Sequence, residues 1–315
     1  MEHEPHNQRH HDLRHHDHGH ASARLDYGRA FAIGVTLNLA YVAGEAVAGI
    51  ASGSLALLAD AGHNLGDVLG LSLSWGAAML SRRQPSGRFT YGLRSSSILA
   101  ALANAIILLV VTGGIAWEAL WRINHPLPVA SEVVVLAAAV GILVNGATAL
   151  LFASGRPHDL NLRSIFLHMA ADTLVTASVV AAGVVIWLTG WLWLDPAVSL
   201  FVSAVIVVGT WGVVRSAIGL ALDAVPEGVD AAAVRAHLST LPGVAGLHDL
   251  HIWGMSTTET ALTCHLVMPG GHPGDAVLGR LGQELHRRFG IAHTTIQIEL
   301  ADTDEACVLT PEHVV

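Results

Sequence analysis

Lysine is missing from this 315-residue chain, and all sixteen of its basic residues are arginine. That bias is compositional and points to no mechanism. Charge of either sign is scarce, with Asp, Glu, Lys and Arg making up 13% of residues against about 25% in soluble domains. Apolar residues make up 52%, a balance that argues for a polytopic membrane protein. The net charge of −9 singles out no partner, and nothing suggests nucleic acid. Two cysteines without a CxxC partner, Cys264 and Cys307, exclude a disulfide scaffold. The first twenty residues lack an apolar core, so no cleavable signal peptide is expected. No HExxH motif occurs, which removes the general base a metal-dependent intramembrane protease needs. The chain is therefore read as a non-enzyme with no organic cofactor.

The apolar residues fall in six runs, at roughly 30 to 50, 55 to 80, 95 to 121, 130 to 153, 165 to 189 and 194 to 218, each long enough to span a bilayer as a helix. Six spans put both ends on one side. Arginine accumulates at the second and fourth connections (Arg82, Arg83, Arg88 and Arg94; Arg156 and Arg163), whereas Gly49 to Ser54 and Thr189 to Leu194 carry none. By the positive-inside rule both termini are cytoplasmic, with Arg122 the one exception to the bias. Trp191 and Trp193 suit an aromatic belt on the other face.

Residues 1–24 contain eight histidines and are expected to form a disordered cytoplasmic tail that captures metal locally. After Pro226 the pattern changes to helix, strand, strand, helix, strand. The expected fold class is thus a polytopic α-helical membrane protein of six transmembrane helices with a small cytoplasmic α+β domain, αββαβ and ferredoxin-like. The divisions fall at 25–221 for the membrane domain, 222–301 for the cytoplasmic domain and 302–315 for a tail.

Two of the apolar runs carry the same unusual pair, a histidine and an aspartate four residues apart: His63 and Asp67, and His168 and Asp172. Four residues advance a helix by about 400°, so each pair projects from nearly one face. A charged group in hydrocarbon costs roughly 3 kcal/mol on insertion scales, so such groups need partners or a wet cavity. Together the pairs offer two imidazoles and two carboxylates, a four-ligand N/O set suited to Zn²⁺. Asp60, three residues before His63, shares that face and reads as a residue behind the ligands or lining a pore.

The stretches SGSLALLADAGHNLGD, RFTYGLRSSSILAALAN, LNLRSIFLHMAAD, HDLHIW and HTTIQIE resemble, in order, the motifs of the cation diffusion facilitators, across about residues 28 to 301. The resemblance implies a homodimer in a bacterial inner membrane that exports a divalent cation, usually Zn²⁺, in exchange for H⁺. It places the transported metal on His63, Asp67, His168 and Asp172. Histidine at position 63 is associated with zinc preference, leaving Cd²⁺, Co²⁺ and Ni²⁺ as lesser cargoes; an exporter of chiefly cadmium or cobalt, and a membrane metal sensor without transport, are the alternatives. His248 and His251, His265 and Glu299 form a second cluster in the cytoplasmic domain. By resemblance His248, His265 and Glu299 fall near positions for regulatory zinc, and Gln297, standing where some relatives have histidine, favours one ion over two. Arg94 and Asp223 match an interlocking charge pair, and Cys264 alternates away from His265 into the core.

Overall fold

The computed structural model describes residues 27–81, 83–153 and 160–300. The expected tails at 1–24 and 302–315, with the histidine-rich segment, lie outside the described residues. Six long helices come first: α1 (Tyr27–Ser52), α2 (Leu55–Ser81), α3 (Ser96–Asn124), α4 (Ser131–Ala153), α5 (Leu160–Thr189) and α6 (Leu194–Ala221). Among the described residues α3, the Ala170–Thr189 part of α5, and α6 are long and apolar enough to cross a membrane. Their outward faces carry large exposed apolar side chains, including Val110, Trp117 and Val208, as contact with lipid tails requires.

Helix α2 is the centre of the bundle and touches α1, α3, α5 and α6. Small residues make this possible. Cβ atoms added at Gly66 and Gly70 would lie 2.9 Å from the side chains of Leu108 and Asn104 of α3, which would have to shift to admit them. Apolar packing continues through Leu57 and Ala59 of α2 to Val134 and Ala138 of α4, Val179 of α5 and Val202 of α6.

The start of α2 is clasped by three other elements. Asp195, 2% exposed in the first turn of α6, accepts hydrogen bonds from the Ser54 hydroxyl, from Leu55 N at 2.8 Å and from Ala56 N at 3.3 Å. These are donors that a helix N-terminus leaves without intrahelical partners. Arg122 of α3 donates from Nη1 to Gly53 O at 2.7 Å and from Nε to Glu118 at 2.9 Å, and Ala130 N donates to Ser52 O at 2.9 Å. Arg122, the exception to the arginine bias, thus has a structural task at the α1–α2 turn, where Gly53 takes a φ of 71°.

The C-terminal part is α7 (Ala231–Ser239), β1 (Gly246–Gly254), β2 (Thr260–Val267), α8 (Asp275–Phe289) and β3 (Ile291–Glu299), the αββαβ order expected. Strand β2 lies between β1, to which it is antiparallel, and β3, to which it is parallel through the α8 crossover. Asp230 caps α7 by accepting from Ala232 N and Ala233 N, and Gly290 ends α8 in a left-handed conformation. Leu238, Leu262, Cys264, Leu266 and Leu285 fill the core between helices and sheet.

The β1–β2 turn docks on the beginning of α3. Ser95 Oγ donates to Met255 O at 3.3 Å, Thr257 N donates to Ser97 Oγ at 3.1 Å, and Arg94 Nη1 donates to Glu259 Oε2 at 2.6 Å. Within one chain, Arg94 takes Glu259 as its partner and not the expected Asp223. Asp223 instead adopts a left-handed conformation, φ 57°, in the turn that closes α6, while the strand turn brings Glu259 beneath α3. Gly254 sits at the same junction, where a Cβ would lie 2.6 Å from the Leu220 side chain of α6 and 3.3 Å from Ser256 O.

Replacing Asp195 with Ala leaves two buried amide donors and the Ser54 hydroxyl without their acceptor. The expected cost is about 2 kcal/mol, read as a lower thermal midpoint of the detergent-solubilised protein; an unchanged midpoint would remove Asp195 from the clasp.

Candidate cation sites

Residues 60, 63, 64 and 67 of α2 lie at helical spacings that give one polar stripe toward α1 and α5. Its chemistry rests on what those neighbours supply. His63 Nε2 lies 3.0 Å from Asp172 Oδ1 of α5, and donor atoms of His63, Asp67 and Asp172 all lie within 4.8 Å of one another. Asp172 is 4% exposed and His63 and Asp67 are half-buried, so the cluster sits in the bundle with limited access to solvent. His168 lies on α5 one turn before Asp172, and its side chain is outside the described residues. Three of the four expected ligands are therefore brought together, and the fourth is placed by its helix alone.

Beyond this cluster the stripe meets a residue that sequence reasoning missed. Glu45 of α1, 2% exposed, accepts from the Tyr41 hydroxyl at 2.8 Å and from Asn64 Nδ2 at 3.1 Å. Asp60 is 1% exposed. The signal was present, since an acidic residue inside an apolar run is costly in lipid and needs a partner.

The second cluster is built by strand register. His248 of β1 and His265 of β2 are directly opposed, with ring centroids 5.1 Å apart. Glu299 of β3 reaches both, with Oε1 at 2.8 Å from His265 Nδ1 and Oε2 at 3.3 Å from His248 Nε2. Gln297 pairs in register with His265, and its amide donates to Glu299 Oε1 at 3.2 Å. A bulge separates His248 from His251, and within it Asp249 takes a left-handed φ of 51°. Its carboxylate consequently lies 3.4 Å from His265 Nε2 and 2.8 Å from His251 Nε2. Asp249 went unnoticed in the sequence because nothing in a strand pattern announces a bulge. His251 is on the rim, its side chain 41% exposed, and reaches the cluster only through Asp249.

The set His248, His265 and Glu299 offers donor atoms within 4.8 Å of one another. That is two imidazoles and a carboxylate, a fit for one borderline-soft divalent ion. Cys264 is excluded from it, being 1% exposed in the core on the other face of β2. Burial, with the charge of Asp249 adding to it, pushes its thiol up to about 12.

Comparison with known proteins agrees with both halves. Residues 31–220 match the cation efflux transmembrane domain and residues 226–301 match the cation efflux protein cytoplasmic domain. The zinc transporter ZitB of Escherichia coli is 35% identical over 290 residues, covering 90% of this chain and 91% of that one. The cation efflux system protein CzcD of Alcaligenes sp. is 33% identical over 279 residues, 88% of each chain. A cadmium, cobalt and zinc/H(+)-K(+) antiporter of Bacillus subtilis is 31% identical over 264 residues, 82% of this chain and 85% of that one.

A thiol with its pKa near 12 is thiolate in only about one molecule in a thousand at pH 9. In a Cys307→Ser background, Cys264 should stay unmodified by iodoacetamide at that pH while the protein is folded and react fully once denatured. Rapid modification of the folded protein would place the thiol outside the core.

Proposed function

The chain belongs to the cation efflux family, and from that premise we propose that it exports Zn²⁺ from the cytoplasm in exchange for H⁺ by alternating access. The observation that carries this reading is the convergence of His63, Asp67 and Asp172 inside an apolar helical bundle. With His168 from the adjoining turn of α5, they make the transport site. Two nitrogens among four ligands favour tetrahedral, borderline-soft zinc over the harder ions that seek six oxygens. Cadmium and cobalt are the secondary cargoes, a choice favoured by the name of the Bacillus relative.

Exchange follows from the ligands themselves. Imidazole binds metal only when neutral, so metal arrival and proton departure at the histidines are linked, and linkage works in both directions. His63 and Asp172 hold each other at 3.0 Å, and an entering ion takes over both. The carboxylates of Asp67 and Asp172 offset the dipositive charge, which no apolar pocket would otherwise accept. A site open alternately to the two sides then loads metal inside and protons outside.

All six long helices are read as spans, with both termini and the C-terminal domain in the cytoplasm. The arginines of the α2–α3 connection lie on the side where that domain docks, in keeping with the positive-inside rule. The active form is a homodimer joined through the C-terminal domain, a reading supported by the match of residues 226–301 to the family's cytoplasmic domain. His248, His265 and Glu299 hold a regulatory zinc ion. The Arg94–Glu259 bond and the turn around it carry its effect toward α3.

Asp172→Ala removes one of two carboxylates from the transport site. Zinc flux and dissipation of a pH gradient in proteoliposomes should both fall at least about tenfold, the equivalent of only 1.4 kcal/mol. Asp172→Asn should fall likewise, because the amide keeps the shape but is a poor ligand. Near-parental exchange by both would take α5 out of the site.

His63→Asp should retain transport, since four ligands remain, but with a lower zinc-to-cadmium flux ratio, since one nitrogen is lost. A ratio equal to that of the parent would put selectivity elsewhere.

A further inference from the structure

One helical turn nearer the α1–α2 turn than the metal cluster, a second pair of carboxylates is enclosed by the bundle. Glu45 and Asp60 are 2% and 1% exposed. The two oxygens of Glu45 each receive one neutral donor, the Tyr41 hydroxyl and the Asn64 amide. Tyr41 is held in place from behind, because α4 approaches so closely that a Cβ on Gly141 would lie 2.0 Å from its hydroxyl oxygen. Both oxygens of Asp60 are buried, and no donor among the described residues reaches them in hydrogen-bonding geometry. They lie toward Glu45 and Thr176, and the Thr176 hydroxyl has already given its hydrogen to Asp172 O at 3.0 Å.

Negative charge therefore accumulates at a point where the one described group able to carry an opposing charge is the His63 imidazole. The ionisable groups that face the pair are Tyr41 on α1, His63 on α2 and Asp172 on α5; α4 contributes Gly141. None of the described arginines stands beside it. Two neutral hydrogen bonds do not offset the removal of two carboxylates from water, and an acceptor such as Asp60 with no donor adds its own desolvation cost. The donor set also differs from that of the metal cluster. It is all oxygen, with no nitrogen ligand to draw zinc.

We infer that Glu45 and Asp60, with Thr176 and Asn64 around them, form a second cation site that takes one compensating positive charge, a proton or an alkali-metal ion, and gives it up when a divalent ion binds at His63, Asp67 and Asp172. The two sites are separated by about one helical turn, ~5.4 Å, in a low-dielectric interior. A dipositive ion in one and a monovalent ion in the other repel strongly there. Mutually exclusive occupancy is what an exchanger requires, and here it comes from electrostatics between neighbouring sites, in addition to competition at shared ligands. The inference rests on the exchange reading above and supplies its counter-ion with a location outside the metal ligands.

The test uses the full-length protein in detergent, parent and Glu45→Gln. Zinc is titrated calorimetrically in buffers of different ionisation enthalpy, which gives the protons released per zinc, and again with potassium or choline as the only monovalent cation. Glu45→Gln should bind zinc within about tenfold of the parent. If the counter-ion is a proton, the variant releases about one fewer per zinc; if it is an alkali ion, the parent's potassium dependence of zinc affinity disappears. Equal proton release together with equal potassium dependence in parent and variant overturns the inference. Asp60→Asn in the same assay gives the answer should Glu45→Gln fail to fold. Infrared spectra of the metal-free proteins read the site without zinc, so that failure of zinc binding and failure of this site are distinguishable. The parent should show a protonated-carboxyl stretch, or a potassium-sensitive carboxylate band, that Glu45→Gln lacks, and its absence from the parent counts against the site.

Discussion

A carboxylate or imidazole inside an apolar bundle is tolerated only in company, and this requirement organises the membrane half of the molecule. His63 has Asp172, Glu45 has Tyr41 and Asn64, and Asp195 has the open amides at the start of α2. Each pairing joins two different helices or two turns of one, so the positions of α1, α2, α5 and α6 are coupled through polar groups embedded in apolar packing. The pairings differ in permanence. Asp195 is met by two backbone amides that cannot leave without unfolding a helix end, and by the Ser54 hydroxyl, whereas His63 and Asp172 meet side chain to side chain at 3.0 Å. Electrostatic cost thus holds the bundle together at one place and makes it receptive to a positive ion at another.

Fixing one end of α2 has mechanical consequences. The turn before it is held by α3, by the segment preceding α4 and by α6, while the glycine face at Gly66 and Gly70 lets α3 ride close along its length. His63 and Asp67 therefore belong to an element with a defined height and rotation relative to α5. At the other end of α2, the connection to α3 lies next to the β1–β2 turn of the C-terminal domain. The strands that carry His248, His265 and Glu299 and the helix that carries His63 and Asp67 are separated by a short chain of contacts through α3.

Much of this was legible in the sequence. Helix positions followed from long apolar runs, and the αββαβ order followed from the change to short alternating segments after Pro226. The repeated His-x-x-x-Asp pattern drew attention to His63, Asp67 and Asp172, whose donor atoms the fold brings within 4.8 Å of one another, because period and cost in lipid point to the same residues. What escaped notice is equally physical. Glu45 and Asp195 stand singly, without a repeated motif, and their partners come from other helices. Asp249 acts through a bulge whose left-handed turn no alternation pattern reveals. The bond from Arg94 to Glu259 was not foreseen because Glu259 is brought to it by a turn whose docking depends on tertiary contacts at Ser95, Ser97 and Gly254.

The central claim, that the cargo is held within the bundle by two imidazoles and two carboxylates, is tested most directly by X-ray absorption at the zinc edge. The sample is the protein lacking residues 1–20 and carrying His248→Ala and His265→Ala, loaded with one equivalent of zinc. The account predicts a four-coordinate shell of nitrogen and oxygen at about 2.0–2.2 Å with imidazole outer-shell scattering from two rings. A six-oxygen shell, a sulfur neighbour at about 2.3 Å, or no bound zinc would contradict it.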